Sequence, residues 1–282
     1  MSIINFIKMH GCGNDFVVID TRVCPIIVFS LEIIKKITDR RYGIGCDQLI
    51  LIEDSKSADC FMRIYNADGS EAGACGNASR CVASLLSCKN NKKKISIETT
   101  TNTVIATVQK NGSITIDMGV PKFSPADLKL LWEGEPSSLQ IKVDHMNLEA
   151  VAVNVGNIHL ICFFDYDIDK IHLESLANQV NNLRIFSEEV NISIININYE
   201  MVNEKFVIKI RTFERGAGET LSCGTAACAA AVSAIKKGYI TYNSNVEVNS
   251  RGGILSINWS KGKNNVLITG EVVISFTGQI TL

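Results

Sequence analysis

The chain repeats itself. Set MRIYNADGSEAGACGNA from Met62 beside IRTFERGAGETLSCGTA from Ile210, and identities fall at one constant offset of 148: Arg63 with Arg211, Glu71 with Glu219, Cys75 with Cys223, Gly76 with Gly224 and Ala78 with Ala226. Tyr65 and Phe213 match in kind. The flanks keep the same order, since Gly13-Asn14 before a strand answers Gly156-Asn157, and ISIETTTN from Ile95 answers VEVNSRGG from Val246. Such a run of matches reads as the duplication of one αβ unit. The 282 residues also suit two domains of ordinary size.

Hydrophobic patterning predicts strands at Phe16 to Asp20, Gln48 to Glu53, Phe61 to Tyr65, Ile95 to Glu98 and Ile114 to Met118. In the second half it predicts Val151 to Asn154, His159 to Phe163, Phe206 to Phe213, Val246 to Asn249 and Val266 to Phe276. Helices are expected over Leu31 to Thr38 and Ile171 to Val180. Two more begin at the repeated cysteines. The first runs from Cys75 to Asn90-Asn91. The second runs from Cys223 through an alanine-rich stretch to Gly238, and its nearly all-apolar surface implies burial among strands.

With 28 Lys and Arg against 29 Asp and Glu, the chain lacks the basic footprint of a nucleic-acid binder. No signal-peptide pattern and no apolar run of membrane-spanning length is visible, so a cytoplasmic protein is expected. Its ten cysteines therefore read as reduced, no C-x-x-C pair offers a zinc or redox site, and eight of them are expected to pack as small hydrophobes. Cys81 and Cys228, turned away from the helix starts, belong with these. Gly11-Cys12-Gly13 and Gly43-Ile44-Gly45 complete neither phosphate-loop pattern.

Cys75 and Cys223 are different. A cysteine at a helix start meets unpaired backbone N–H groups and the positive end of the macrodipole, so its pKa is expected to fall. Gly76 and Gly224 keep that backbone open to a ligand such as a carboxylate. Two halves related by a pseudo-twofold axis would set the helix starts face to face, with two thiols flanking one anionic ligand. A cofactor-independent racemase or epimerase needs this pair, one group removing an α-proton while the other delivers a proton to the opposite face. Converging helix starts would stabilise the carbanion-like transition state.

The segments KMHGCGNDFVVID (8–20), RRYGIGCDQLI (40–50), YNADGSEAGACGNASRC (65–81), GNIH (156–159) and FERGAGETLSCGTAACAA (213–230) resemble the diaminopimelate epimerase family. The resemblance implies interconversion of LL- and meso-2,6-diaminopimelate for lysine and peptidoglycan precursors, without cofactor or metal, and a homodimer is compatible with it. It implies an α/β (α+β) fold of two pseudo-twofold-related domains whose last strand, from about Glu271, returns to the first; the repeat offsets of 143 to 151 put the second half's start near Phe123, which gives 1–122 plus 271–282 and 123–270. Each would be a curved mixed β-sheet wrapped around a central helix, with the active site in the cleft between them. Cys75 and Cys223 match the catalytic pair. His159 and Glu214 match residues that adjust the thiol pKa values. Asn14, Gln48, Asn66, Gly76, Asn77, Asn157, Asn191, Glu214, Arg215, Gly224 and Thr225 match substrate-binding positions, with a buried Arg215 forking onto the distal carboxylate.

Four positions depart from the family pattern: Ala78 and Ala226 stand where glycine is expected, and Ile158 and Ser187 where proline is expected. Alanine inside a helix's first turn should leave both starts intact. Two other readings compete, a related amino-acid racemase and a thiol-based redox or metal protein. Substrate turnover and zinc binding separate them.

Overall fold

The computed structural model describes residues 3–24, 28–132, 134–202, 205–262 and 264–281. They form two units, Met1–Ile116 with Thr269–Leu282 and Asp117–Ile268, each holding one copy of the repeat.

The first unit contains β1 (Ile3–Gly11), β2 (Asn14–Asp20), α1 (Leu31–Thr38), β3 (Gln48–Glu53), β4 (Cys60–Asn66), the short β5 (Glu71–Ala72), α2 (Gly76–Asn90), β6 (Lys94–Glu98), β7 (Thr103–Val108) and β8 (Ile114–Asp117). Strands β2 and β3 are parallel across α1, and β4 and β6 are parallel across α2, because a parallel pair needs a crossover. The remaining pairs β1–β2, β3–β4, β4–β5 and β6–β7 are antiparallel.

The second unit contains α3 (Pro125–Leu128), β9 (Leu139–Val143), β10 (Met146–Asn154), β11 (Ile158–Phe164), α4 (Leu173–Asn182), β12 (Asn191–Val202), β13 (Lys205–Glu214), β14 (Gly218–Thr220), α5 (Gly224–Lys236), β15 (Asn245–Ser250), β16 (Gly253–Trp259) and β17 (Val266–Gly270). Its pairing scheme is the same. Strands β11 and β12 are parallel across α4 and β13 and β15 across α5, while β10–β11, β12–β13, β13–β14 and β15–β16 are antiparallel. The last strand, β18 (Val273–Thr281), returns to pair with β1.

Each mixed sheet wraps a central helix. Every residue of α5 from Ala226 to Ile235 is buried, and the helix packs on β10, β11, β12, β13, β15 and β16. Helix α2 buries Ala78, Cys81, Val82, Ala83 and Leu86 against β1, β2, β6 and β7. It stops at Asn91, which takes the left-handed conformation, and α5 is followed by Gly238 at φ +80. Ala78 and Ala226 sit fully buried within intact first turns.

Some boundaries differ from the sequence reading. The apolar run from Val266 to Phe276 breaks after Gly270 into two strands with different partners. The helix expected from Ile171 starts at Leu173, because Ile168–Lys170 forms a 3-10 turn whose end holds Ile171. The pattern does not reveal strands β1, β7, β9, β12 and β16 or the short β5 and β14. Strand β12 begins NISIININ, where asparagines alternate with isoleucines, and its Asn191 and Ser193 are themselves buried.

Candidate active site

Cys75 is the N-cap residue of α2, extended at φ -150 and ψ 111, so the backbone turns into the helix directly after the sulfur. A Cβ on Gly76 would meet nothing within 4 Å, which leaves open space beside the unpaired first-turn N–H groups. The Cys75 thiol donates to Asn14 Oδ1 at 3.7 Å, and Asn77 Nδ2 donates to the same oxygen at 3.3 Å. Across the sheet, Gln48 and Asn66 are register partners, and Gln48 Nε2 donates to Asn66 Oδ1 at 2.9 Å. Asn66 Nδ2 is held by Ser70, whereas Gln48 Oε1 is a buried acceptor with no partner among the described residues.

A charged cluster anchors Asn14. Its Nδ2 donates to Asp47 Oδ2 at 2.9 Å, and Arg40 binds Asp47 at 2.7 Å and Asp15 at 2.7 Å. Lys8, nearly buried, pairs with Asp15 at 2.5 Å and also donates to Gly45 O. Partial burial would raise the Asp15 carboxyl, but hydrogen bonds from Arg40 and Lys8 hold it well below the usual carboxylate range.

Cys223 occupies the equivalent N-cap of α5. Its Sγ is 3.3 Å from Thr225 Oγ1, which is 2.9 Å from Nε2 of the fully buried His159, and that nitrogen is 2.8 Å from Asn157 Oδ1. With an amide oxygen facing it, Nε2 carries the ring proton, and Nδ1 is left buried without a partner among the described residues. Burial pushes the imidazole down to about 3, so His159 is neutral. Asn191 takes the β12 position that Gln48 takes on β3. It donates to Ile158 O at 3.1 Å and accepts from the Arg215 N–H at 3.0 Å, so its amide ties β11 to the turn after β13. Glu214 ends β13 and accepts from Thr220 Oγ1 at 2.5 Å.

Three expectations need correction. The Cys223 thiol is pushed far up rather than down: desolvation leads, the Glu214 carboxylate adds to it, and together they outweigh the Thr225 hydroxyl and the Ala226 N–H, which favour the thiolate. Arg215 is not buried; half of its side chain is exposed and its guanidinium pairs with Glu188 and donates to Glu189 O. The other eight cysteines are not all packing residues, because Cys88 is exposed and Cys12 and Cys24 are partly so, while Cys46, Cys60, Cys81, Cys162 and Cys228 are buried.

Sequence reasoning passed over Arg40, Asp15, Asp47 and Arg80. All four lie inside quoted motifs, Arg40 and Asp47 in RRYGIGCDQLI, Asp15 in GND and Arg80 in YNADGSEAGACGNASRC, and that context was the available signal.

The diaminopimelate epimerase family model matches residues 6–124 and 151–275. The chain is 38% identical over 275 residues to the diaminopimelate epimerase of Acidiphilium cryptum, covering 98% of this chain and 95% of that one. It is 40% identical over 269 residues to that of Wolbachia sp. subsp. Drosophila simulans, covering 95% and 96%. Among solved structures, a phenazine biosynthesis protein of the PhzF family from Bacillus anthracis superposes with a TM-score of 0.71 at 18% identity, covering all of both chains. That likeness concerns the fold.

Proposed function

Because the chain belongs to the diaminopimelate epimerase family, an isomerase family, we propose that it interconverts LL- and meso-2,6-diaminopimelate by proton transfer between the thiols of Cys75 and Cys223. A thiolate removes the α-proton, and the other thiol protonates the opposite face of the same carbon, so the two sulfurs exchange roles at each turnover. The observation that carries this reading is the duplicated Cys-Gly helix start, each cysteine standing as N-cap before unpaired N–H groups. Those groups, at Gly76, Asn77, Gly224 and Thr225, would take the reacting carboxylate as negative charge grows on it.

Desolvation and Glu214 favour the protonated form of Cys223, which suits it to donate a proton. Gln48 Oε1, a buried acceptor, would receive an ammonium N–H, with Asn14 and Asn66 beside it. On the other half, Asn157 and Asn191 shape the loop, Glu214 accepts from an ammonium, and the exposed Arg215 can turn from Glu188 to a distal carboxylate. His159 acts on the thiol as a neutral dipole through Thr225.

The enzyme is placed in the cytoplasm, in lysine and peptidoglycan precursor synthesis. Homodimer formation is read from β18, an edge strand among the described residues that exposes Val273, Ile274 and Phe276. The deciding assay incubates purified protein with LL-diaminopimelate in deuterium oxide. Exchange at the α-carbon together with meso product supports the reading; turnover of another amino acid without exchange into diaminopimelate would refute it.

A further inference from the structure

We propose that Arg80 is a positioning residue for the Cys75 thiol: its guanidinium fixes the amide of Asn77 and, through it, that of Asn14. This rests on the reading of Cys75 as a catalytic thiol and gives a role to a residue outside the set named above.

Arg80 lies on α2, five positions after Cys75, and is 0% exposed. Its Nη2 donates to Asn77 Oδ1 at 2.6 Å and lies 3.9 Å from Cys12 Sγ. Asn77 Nδ2 donates to Asn14 Oδ1, and Asn14 Nδ2 to Asp47. An amide oxygen only accepts and its NH2 only donates, so the cation at one end and the carboxylate at the other set both amides. Asn14 Oδ1 is thereby held toward the sulfur.

The arrangement is unfavourable for the fold alone. Nε and Nη1 of Arg80 have no partner among the described residues, and the cation sits near a helix start whose dipole is already positive. A buried cation there suits a place where negative charge comes and goes, on the Cys75 sulfur or on a carboxylate at the α2 start. Gly11 leaves room for it, since a Cβ there would come within 3.3 Å of Nη2. The repeat makes the assignment specific. The α5 position matching Arg80 is Cys228, a core residue, and in that half the neutral His159 links Asn157 with Thr225. Each cysteine thus has its own relay, cationic for Cys75 and neutral for Cys223.

The test is site-resolved alkylation of the full-length protein by iodoacetamide, each cysteine followed by peptide mass spectrometry as pH is varied. R80M keeps the volume and removes the charge. Cys75 alkylation at neutral pH is expected to slow about tenfold, its midpoint moving up, while Cys223 is unchanged; R80K should recover the midpoint. D47N, at the exposed end of the relay, preserves the core and should alter the Cys75 profile alone, with a drop in kcat. An unchanged Cys75 profile in either R80M or D47N, or Cys75 and Cys223 shifting together, would overturn the proposal. Alkylation does not depend on turnover. Unmoved profiles beside an inactive Cys75→Ala enzyme count against Arg80, whereas an active Cys75→Ala enzyme counts against the catalytic reading.

Discussion

Arg211 grips Glu219 through two parallel hydrogen bonds of 2.8 Å, Nε to Oε1 and Nη2 to Oε2, while its Nη1 donates to the carbonyls of Ile168 and Ile171. Arg63 binds Glu71 at 2.8 Å at the same place in the first unit. The two most polar identities of the repeat therefore hold the short hairpin that delivers each cysteine to its helix. Removing Glu219 would leave a guanidinium that is 7% exposed without its counter-charge. Glu219→Gln is expected to destabilise by about 3 kcal/mol, measured by urea unfolding, and Glu71→Gln by less because Arg63 keeps Glu53.

Replacing either sulfur should abolish inversion without unfolding. Cys75→Ala and Cys223→Ala are each expected to lower epimerisation by about 10³-fold or more, read from meso product, with far-UV circular dichroism unchanged. A single mutant within tenfold of the native rate would exclude a two-thiol scheme.

Glu214 raises the Cys223 thiol, so its removal should favour the thiolate. In Glu214→Gln, alkylation of Cys223 at neutral pH is expected to accelerate about tenfold, while epimerisation falls because the carboxylate that accepts from the substrate ammonium is lost. Slower alkylation would show that the carboxylate acts there in some other way.

Stability should fall on both sides of neutrality. Burial raises Cys46 to about 11 and Cys60, Cys81 and Cys162 to about 12, above the ~8.5 of an unfolded thiol. Their stabilisation is complete below about pH 8.5 and is lost as pH rises toward those values, by up to about 1.4 kcal/mol per thiol per unit. Cys162→Val should flatten this limb by about one proton in denaturant titrations. His159 shows the opposite sign. Its pKa is depressed to about 3, so its contribution is complete above ~6.5 and declines as pH falls below that. Its imidazole resonances should stay those of a neutral ring between about pH 5 and 8.

Much of this protein was legible in one dimension. Helix α5 was readable because ten consecutive small or apolar residues are buried on every side, and the cysteines were readable because duplication marked them against eight others. Strand β12 escaped because its alternating asparagines look solvent-facing, and Asn191 and Ser193 are buried only because β11 and β13 supply partners. Arg80 escaped for a related reason: a lone arginine in a helix reads as surface until the fold closes around it.

The duplication, the mixed α/β units, the two thiols and the family are all written in the order of residues along the chain. Tertiary structure alone decided how each site is held and charged. Asp47 reaches Asn14 across 33 residues and Arg40 reaches Asp15 across 25, pairings that no local pattern encodes. It also decided the sign at Cys223. The helix dipole that sequence can foresee acts over a single turn, whereas desolvation and the Glu214 charge depend on what the folded chain packs against the sulfur, and there they prevail.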